Sequence, residues 1–242
     1  MECLWPEASA FTELKEGEVH IWCANLDAAD RLEMLERTLS PDEVKRVNRF
    51  RFHQHRRRYI VGRGTARVLI GRYLKKNPED IVISYSEYNK PFLPNKNIRF
   101  NLSHSQEMVL FAFCPTADIG IDLERIRDIE DAEGIAARFF AATEFARFET
   151  VPVEERNEAF FNCWTRKEAF IKAVGEGLSY PLANFDVSFL PGEQVKINTI
   201  RLSAEEADQW SLYSLAPMPG YVGALAVKSK DWQLICRQYS TL

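Results

Sequence analysis

The segment Ile119-Gly120-Ile121-Asp122-Leu123-Glu124 alternates large aliphatic residues with glycine and acidic residues. In a strand, this alternation places the aliphatic side chains on one face and Gly120, Asp122 and Glu124 on the other. The two carboxylates then stand roughly 7 Å apart on the same side. Glycine keeps that face open for a close neighbour. The segment predicts a strand with paired carboxylates, although an ordinary strand end with exposed acids has the same pattern.

Two carboxylates on one strand face suit a hard divalent cation. Magnesium commonly takes one or a few carboxylates and completes its coordination with substrate phosphates and waters. Asp122 and Glu124 therefore indicate a magnesium–phosphate site, provided that further ligands converge on the same face.

A third carboxylate comes from residues 160–172, Phe-Phe-Asn-Cys-Trp-Thr-Arg-Lys-Glu-Ala-Phe-Ile-Lys. At helical spacing, Glu168 falls on a stripe with Phe160, Trp164 and Ile171. A carboxylate on a largely apolar face is costly unless a cation or hydrogen bonds compensate it. Lys172 follows Glu168 by four positions, but a structural pair of this kind contributes only about 0.3–0.5 kcal/mol. Such a pair does not explain why Glu168 stands on the apolar stripe.

The segment Phe100-Asn-Leu-Ser-His-Ser105 ends a predicted strand with a hydroxyl, an imidazole and a second hydroxyl. Ser103 and His104 could hold a phosphate oxygen. A single histidine is more often structural, so this segment alone is weak evidence for a binding site.

The net charge of −4 conceals an uneven distribution of charge. Residues 45–76 contain twelve Lys or Arg residues and no acidic residue, which leaves 19 basic residues (31 − 12) against 35 acidic ones elsewhere. A basic segment in an acidic protein indicates a local anionic ligand or partner. A solvated basic helix face is the alternative interpretation.

Secondary structure is predicted from capping signals and periodicity. Ser40-Pro41-Asp42-Glu43 predicts a helix start with a capping box, and Gly175 predicts a left-handed cap at the end of a later helix. The other predicted helices cover residues 56–76, 134–140, 143–148 and 157–174. The predicted strands cover residues 81–85, 98–102, 108–114, 118–124, 185–190, 210–215 and 221–227.

The order helix, long helix, strands occurs twice along the chain. Asp80-Ile-Val-Ile-Ser-Tyr85 follows the first long helix, and Asn184-Phe-Asp-Val-Ser-Phe189 follows the second, 104 positions later. This weak similarity favours a duplicated α+β unit, with an N-terminal half at residues 1–116 and a C-terminal half at 117–242. A duplication of this kind usually places a site at the junction of the two halves.

The remaining composition indicates a reduced, cytoplasmic, soluble protein. No window approaches the ~18 uninterrupted apolar residues of a membrane helix. The acidic N-terminus lacks the basic and apolar regions of a secretory signal. The five cysteines show no CxxC spacing, and Cys114 and Cys163 lie in apolar runs, which favours buried thiols over a disulfide or zinc framework.

The ordered motifs together are similar to those of a known family. Asn101-Leu-Ser-His104, Gly120-Ile-Asp-Leu-Glu124 and Trp164-Thr-Arg-Lys-Glu168 with Lys172 resemble the 4'-phosphopantetheinyl transferases of the surfactin-synthetase-activating (Sfp) type. Each motif is short, but their order and spacing are specific. The resemblance runs from about Ser40 to Phe189. Supporting matches are Asn89-Lys90-Pro91, Arg138-Phe-Phe140 and Thr143-Glu144-Phe145.

The resemblance implies a pseudo-twofold monomer of two α+β halves with small antiparallel sheets, which binds coenzyme A and Mg²⁺ between the halves. By position, Asp122, Glu124 and Glu168 are the expected metal ligands. Glu168 or Glu144 is expected to accept the proton of the acceptor hydroxyl, and Glu144 and Lys167 are expected either to activate that hydroxyl or to support the site. The residues expected to contact coenzyme A are Arg46, Lys90, Ser103, His104, Asp122 and Lys172.

Two positions depart from the family pattern. Asn89 stands where many members have glycine, and asparagine tolerates the left-handed conformation that such a turn requires. Glu43 stands where some relatives present a lysine to the nucleotide, which changes the expected contacts to the 3'-phosphate. Arg46, Arg58 or Arg63 could compensate for that change.

The resemblance implies that a carrier-protein serine attacks the β-phosphate of coenzyme A and expels 3',5'-ADP. The acceptors are apo acyl or peptidyl carriers of fatty-acid, polyketide or nonribosomal peptide synthesis. Such carriers are generally acidic, so the basic segment 45–76 is a candidate docking surface.

Two other functions are compatible with parts of the sequence. A magnesium-dependent diphosphohydrolase acting on coenzyme A would share the carboxylates and need no acceptor protein. A nucleic-acid-binding module could use the basic segment. The acidic overall charge, the lack of interleaved aromatic residues and the lack of a binding motif argue against the second alternative.

Overall fold

The computed structural model of this chain has two main sheets built on antiparallel strand pairs, each with one long helix packed on it. The structure describes residues 4–7, 11–28, 31–94, 98–201 and 203–239. Up to the end of the fifth strand, the elements are β1 (Glu18–Asn25), α1 (Leu32–Arg37), α2 (Pro41–Val47), α3 (His53–Leu74), β2 (Ser84–Tyr85), β3 (Pro91–Phe92), β4 (Arg99–Ser105) and β5 (Met108–Cys114).

The second half repeats the order of one strand, three helices and four strands, with one short helix and one strand added. These elements are β6 (Ile119–Arg125), α4 (Ala132–Phe139), α5 (Ala142–Phe148), α6 (Arg156–Val174), β7 (Phe185–Val187), β8 (Ile197–Ile200), α7 (Ala204–Ala207), β9 (Trp210–Leu215), β10 (Tyr221–Lys228) and β11 (Gln233–Gln238).

The sheets repeat one topology. One has the order β11-β1-β5-β4 and the other β6-β10-β9, and short hairpins β2-β3 and β7-β8 follow α3 and α6. Thus β1-β5-β4 and β6-β10-β9 are connected in the same way. The predicted α+β fold with small antiparallel sheets is confirmed. Two additions depart from the repeat. The short helix α7 lies between β8 and β9, and β11 pairs in parallel with β1 and therefore joins the sheet of the first half.

Local signals predicted several elements correctly. The capping box of α2 is present, with the Ser40 hydroxyl accepting from Glu43 N–H and the Glu43 carboxylate accepting from Ser40 N–H. Gly175 caps α6 at φ +91°. The strands predicted at 108–114 and 210–215 have the predicted bounds. The helix predicted at 56–76 begins at His53 and ends at Leu74.

Three apolar clusters arise from the two faces of each sheet. Trp22, Phe111 and Phe113 pack with α3, and Phe160 and Phe170 belong to the cluster around α6. The opposite sheet faces meet each other in the third cluster, which includes Ile21, Leu110, Ile121, Leu123 and Leu225. As predicted, β6 turns its aliphatic residues to one side. The side that carries Gly120 faces α6, because a Cβ on Gly120 would lie 2.1 Å from the Ala169 carbonyl oxygen.

The cysteines differ in part from the prediction. Cys23, Cys114 and Cys163 are free and buried, as expected for thiols in apolar runs. Cys236 is disulfide-bonded, so the prediction of thiols without a disulfide is wrong for this residue. Sequence spacing could not reveal this, because Cys236 lies on β11, which reaches its sheet by a long-range pairing. Among the described helices, none has the length and apolar content needed to span a bilayer.

Candidate active site

The two halves meet where β4 and β6 run side by side, each at the edge of its own sheet. Alternate side chains of β4 bridge this junction. Asn101 Oδ1 accepts from Ile121 N–H at 2.9 Å, and Ser105 Oγ accepts from Arg125 N–H at 3.1 Å. Because these bonds come from side chains, the sheets are joined without a shared backbone ladder.

Asp122 lies at this junction and is almost fully buried. Its Oδ1 accepts from Ser103 Oγ at 2.8 Å and from Lys172 Nζ at 2.6 Å. Lys172 Nζ also lies 3.0 Å from Ser103 Oγ. The structure therefore brings together three residues predicted for the site, from β4, β6 and α6. The second oxygen, Asp122 Oδ2, is buried and has no hydrogen-bond partner among the described residues.

Glu124 stands two residues beyond Asp122, on the same side of β6, and is partly exposed. Its Oε2 accepts from Ser105 Oγ at 2.8 Å and from Arg127 Nη1 at 3.2 Å. Ser105 and Arg127 were not predicted as site residues. The polar alternation of Asn101, Ser103 and Ser105 along β4 is the signal that could have identified Ser105.

Glu168 approaches the same place from α6, whose backbone contacts Gly120. The predicted apolar neighbours are present, since Phe160 and Trp164 stack with their ring centroids 5.9 Å apart. Burial, followed by the charge of Asp122 and to a lesser degree that of Glu124, raises the pKa of Glu168 to about 7, with Lys172 opposing the rise. The three carboxylates are thus close enough to repel one another.

The chemistry of these donor atoms suits a cation. In the described parts of the chain, no group of three or more His, Cys, Asp or Glu side chains stands ready to hold a metal ion. Lys172 occupies one oxygen of Asp122 instead. The other oxygen is a buried, unpartnered acceptor, and such an atom strongly favours a positive partner. Three mutually repelling carboxylates with a free buried oxygen fit a hard divalent ion such as magnesium.

The three other residues predicted to contact coenzyme A, His104, Lys90 and Arg46, lie in three different parts of the structure. His104 is exposed on β4, where desolvation and then the charge of Lys172 lower its pKa. Lys90 reaches the C-terminal end of α6 and donates to the Ala173 carbonyl at 2.7 Å. Burial lowers the pKa of Lys90 to about 8. Arg46 is exposed on α2, with its guanidinium carbon 5.3 Å from the Tyr59 ring centroid.

The structure also shows how the two departures are accommodated. Asn89 has φ +61°, so the turn before Lys90 keeps a left-handed residue as predicted. Glu43 turns inward, and its carboxylate lies 3.1 Å from Arg63 Nε and 2.6 Å from Arg67 Nε. Arg63 is therefore engaged with Glu43, and Arg58 with Asp27 at 2.6 Å. These two arginines are less available to replace the missing lysine than the sequence suggested.

Glu144 and Lys167 are in the core of the second half. Lys167 is 0% exposed and Glu144 1% exposed. Lys167 Nζ donates to Glu144 Oε2 at 2.6 Å and to the Phe185 carbonyl at 2.7 Å. Glu144 also accepts from Ala141 N–H and Val187 N–H, each at 2.7 Å. This geometry favours a supporting role for Glu144 and Lys167 over activation of the acceptor hydroxyl, because the pair is enclosed and its hydrogen bonds are already made.

Comparisons with known proteins agree with this arrangement. Residues 118–226 match the family model described as the 4'-phosphopantetheinyl transferase superfamily. Residues 27–116 match the model described as 4'-phosphopantetheinyl transferase, N-terminal. The N-terminal matched region ends, and the other begins, between β5 and β6.

Individual relatives extend the match over most of the chain. A 4'-phosphopantetheinyl transferase of Nostoc sp. is 40% identical over 225 residues, which cover 91% of this chain and 92% of the relative. The transferase Sfp of Bacillus subtilis is 36% identical over 160 residues, covering 66% and 70%. A solved complex of a bacterial ACPS with CoA has 21% identity and a TM-score of 0.34, and covers 48% of this chain and 98% of that one.

The two family models and the 40% identity across nine-tenths of the Nostoc relative lead to one conclusion. The chain belongs to the 4'-phosphopantetheinyl transferase superfamily.

Proposed function

We propose that this enzyme transfers the 4'-phosphopantetheine moiety of coenzyme A to a serine of an apo acyl or peptidyl carrier protein. The products are the holo-carrier and 3',5'-ADP. The reaction supports the fatty-acid, polyketide or nonribosomal peptide synthases to which such carriers belong. The relatives' names support the transferase activity.

We further propose that Asp122, Glu124 and Glu168 hold Mg²⁺ in this reaction. The observation that carries this assignment is the buried, unpartnered Oδ2 of Asp122 beside two other carboxylates. A bound magnesium ion supplies charge neutralisation at the diphosphate.

The chain's own residues bind and orient the reactants. Lys172 and Ser103, held 3.0 Å apart at the junction, present a cationic donor and a hydroxyl to phosphate oxygens. His104, exposed next to them, adds a further donor or acceptor. Lys90 and Arg46 are proposed to contact coenzyme A away from the diphosphate. Because Lys90 joins β3 to the end of α6, its contact would hold the two halves in register.

Proton removal from the carrier serine is assigned to Glu168. Of the three residues predicted for this role, it alone keeps solvent contact, whereas Glu144 and Lys167 are enclosed. The serine oxygen forms a bond to the β-phosphorus, the bond to the bridging oxygen of 3',5'-ADP breaks, and the serine proton passes to the carboxylate. All these residues come from one chain, so one chain can form a complete site, and we propose that the enzyme acts as a monomer. We also propose that it acts in the cytoplasm.

The deciding experiment incubates the protein with coenzyme A, Mg²⁺ and several apo-carriers, one from each class of synthase. Mass spectrometry should show the phosphopantetheine increment on at least one carrier, and 3',5'-ADP should form in equal amount. A parallel reaction without a carrier tests the diphosphohydrolase alternative. Release of free phosphopantetheine there, with no carrier modification anywhere, would replace the transferase proposal with hydrolysis.

A further inference from the structure

Ser105, the last residue of β4, lies beside the end of β6 and is not among the residues that the proposed reaction uses. It is 8% exposed. Its Oγ donates to Glu124 Oε2 at 2.8 Å and accepts from Arg125 N–H at 3.1 Å. A serine hydroxyl has a single proton, and because the Arg125 amide takes a lone pair of the oxygen, that proton is left for the carboxylate. One buried hydroxyl therefore holds both the backbone of β6 and the Glu124 side chain.

The other surroundings of Glu124 hold its carboxylate less firmly. Arg127 Nη1 donates to the same oxygen, Oε2, at 3.2 Å. The Arg127 side chain is 52% exposed, however, and an exposed ion pair of this kind contributes little. Among the described residues, no hydrogen bond reaches the second oxygen, Oε1. With Oε2 held by Ser105, Oε1 is the oxygen that a ligand can use.

The Glu124 carboxylate lies close enough to the other two acidic residues of the site to act on them. Its charge contributes to the raised pKa of Glu168, together with that of Asp122. Glu124 and Asp122 also share one side of β6, two positions apart. The orientation of the Glu124 side chain therefore affects how well the three carboxylates can share one ion.

Ser105 belongs to a series of polar residues along one side of β4. Asn101 Oδ1 accepts from Ile121 N–H, and Ser103 Oγ donates to Asp122 Oδ1. Residues at alternate positions of a strand face the same way, so all three polar side chains are turned to β6. The strand orients Asp122 through Ser103, and it orients the carboxylate two residues later through Ser105 by the same kind of bond.

We propose that Ser105 is a positioning residue for divalent-metal binding, which fixes the Glu124 carboxylate so that Oε1 is presented to the ion. It acts through Glu124 and not by contact with coenzyme A. Outer partners of this kind align ligating carboxylates, and their loss weakens metal affinity by about tenfold or more. The inference rests on the proposed assignment of Glu124 as a metal ligand and adds a residue to it.

The test is titration of Mn²⁺, a paramagnetic substitute that takes the same oxygen ligands as Mg²⁺, into the protein saturated with coenzyme A. No carrier is present, so no transfer takes place. Electron paramagnetic resonance measures free Mn²⁺, and a titration of coenzyme A alone is subtracted. Ser105→Ala should weaken Mn²⁺ binding about tenfold, and Ser105→Thr, which keeps the hydroxyl, should bind within about threefold of wild type.

Ser188→Ala is the matched control. Ser188 is 3% exposed, and its Oγ donates to the Lys196 carbonyl at 3.3 Å and accepts from Lys196 N–H at 2.9 Å. The change removes the same kinds of hydrogen bond at the hairpin of β7 and β8, where no carboxylate of the site lies. It should lower the urea midpoint to an extent similar to Ser105→Ala and leave Mn²⁺ affinity within about twofold of wild type.

A double-mutant cycle tests whether Ser105 acts through Glu124. In a Glu124→Ala background, adding Ser105→Ala should change Mn²⁺ affinity less than about twofold, because the group that Ser105 holds is gone. Equal losses in both backgrounds, or equal affinities of Ser105→Ala and Ser188→Ala, would overturn the role of Ser105. That result would leave the proposed transfer intact if the wild-type protein binds Mn²⁺ and modifies a carrier. A wild-type protein that binds no Mn²⁺ would refute the metal assignment and the role of Ser105 together.

Discussion

Asp122 has one oxygen that is fully engaged and one that has no partner. Ser103 and Lys172 hold Oδ1, whereas Oδ2 is buried without a hydrogen bond. Replacing the carboxylate removes an acceptor but leaves Lys172 29% exposed, so water can solvate its ammonium group. The residue therefore matters more for the chemistry of the site than for the fold.

Asp122→Ala should reduce phosphopantetheine transfer by roughly 10²-fold or more while the protein stays folded, because the buried acceptor for a cation is lost. Glu168→Ala should reduce the transfer to a similar extent and should also stay folded. The rate of holo-carrier formation, followed by mass spectrometry at saturating Mg²⁺, measures the effect, and circular dichroism checks the fold. Near wild-type transfer by either folded variant would rule out the metal assignment.

Glu168 predicts a pH dependence of stability in metal-free protein. Its pKa rises from 4.5 to about 7 on folding, so the folded state holds the proton more tightly than the unfolded state. The stabilising contribution is complete below pH ~4.5 and is lost as the pH rises through about 7. In EDTA at pH 8, Glu168→Gln should be more stable than wild type by on the order of 1–3 kcal/mol.

Urea unfolding at pH 5 and pH 8 measures this difference. At pH 5 the two proteins should differ little, and Mg²⁺ at pH 8 should stabilise the wild type but not the variant. A stability difference that is the same at both pH values would contradict the prediction.

At the scale of elements, the closest contact of the site is between β6 and α6. A Cβ on Gly120 would lie 2.1 Å from the Ala169 carbonyl oxygen and 2.3 Å from the Ala173 nitrogen. Both are backbone atoms and cannot rotate away. The glycine therefore sets how near Glu168 on α6 can come to Asp122 on β6.

Gly120→Ala should destabilise the protein by about 3 kcal/mol or prevent native packing, because α6 must move away from the sheet. Gly62→Ala is the control, since its Cβ would meet only the mobile Leu26 Cδ2, at 3.2 Å. That change lies within α3 and should be neutral or stabilising by up to ~1 kcal/mol. Denaturant unfolding compares them, and equal effects of the two substitutions would contradict this account of Gly120.

The sequence predicted those elements whose signals are local. Caps at Ser40 and Gly175 and the alternation of β6 were sufficient to place a helix start, a helix end and two carboxylates. β1 was not predicted, because Glu18–Asn25 is buried along nearly its whole length and gives no clear alternation. The enclosure of Glu144 and Lys167 was also missed, since their partners Ala141, Phe185 and Val187 are assembled only by tertiary packing.

At the scale of the whole molecule, charge is less segregated than the sequence suggests. Within the described part of the chain, at least six of the twelve basic residues in 45–76 form ion pairs with carboxylates that lie earlier in the sequence. These six are Lys45, Arg56, Arg58, Arg63, Arg67 and Lys75. Composition alone could not show this, because the pairing depends on how α1, α2 and α3 pack together. The basic surface available to a carrier protein is correspondingly smaller.

Carrier docking on that surface remains testable with two exposed arginines near the start of α3. Arg49→Glu/Arg51→Glu, at exposed positions outside the ion pairs named above, should raise the KM for an acidic carrier roughly 3–10-fold at low ionic strength, with the difference shrinking at high salt. The KM for coenzyme A should not change. Lys196→Glu/Lys230→Glu is the matched control for net charge, and an unchanged carrier KM in the arginine variant would exclude docking there.

The parallel pairing of β11 with β1 has a consequence for synthesis of the protein. During translation, β1 emerges among the first elements and β11 emerges last. Until β11 has left the ribosome, β1 exposes an unpaired edge that could pair with another nascent chain. The first half therefore completes its sheet only after the second half has been synthesised, and a chain shortened by a premature stop after β10 would be prone to aggregate although every predicted metal ligand is present.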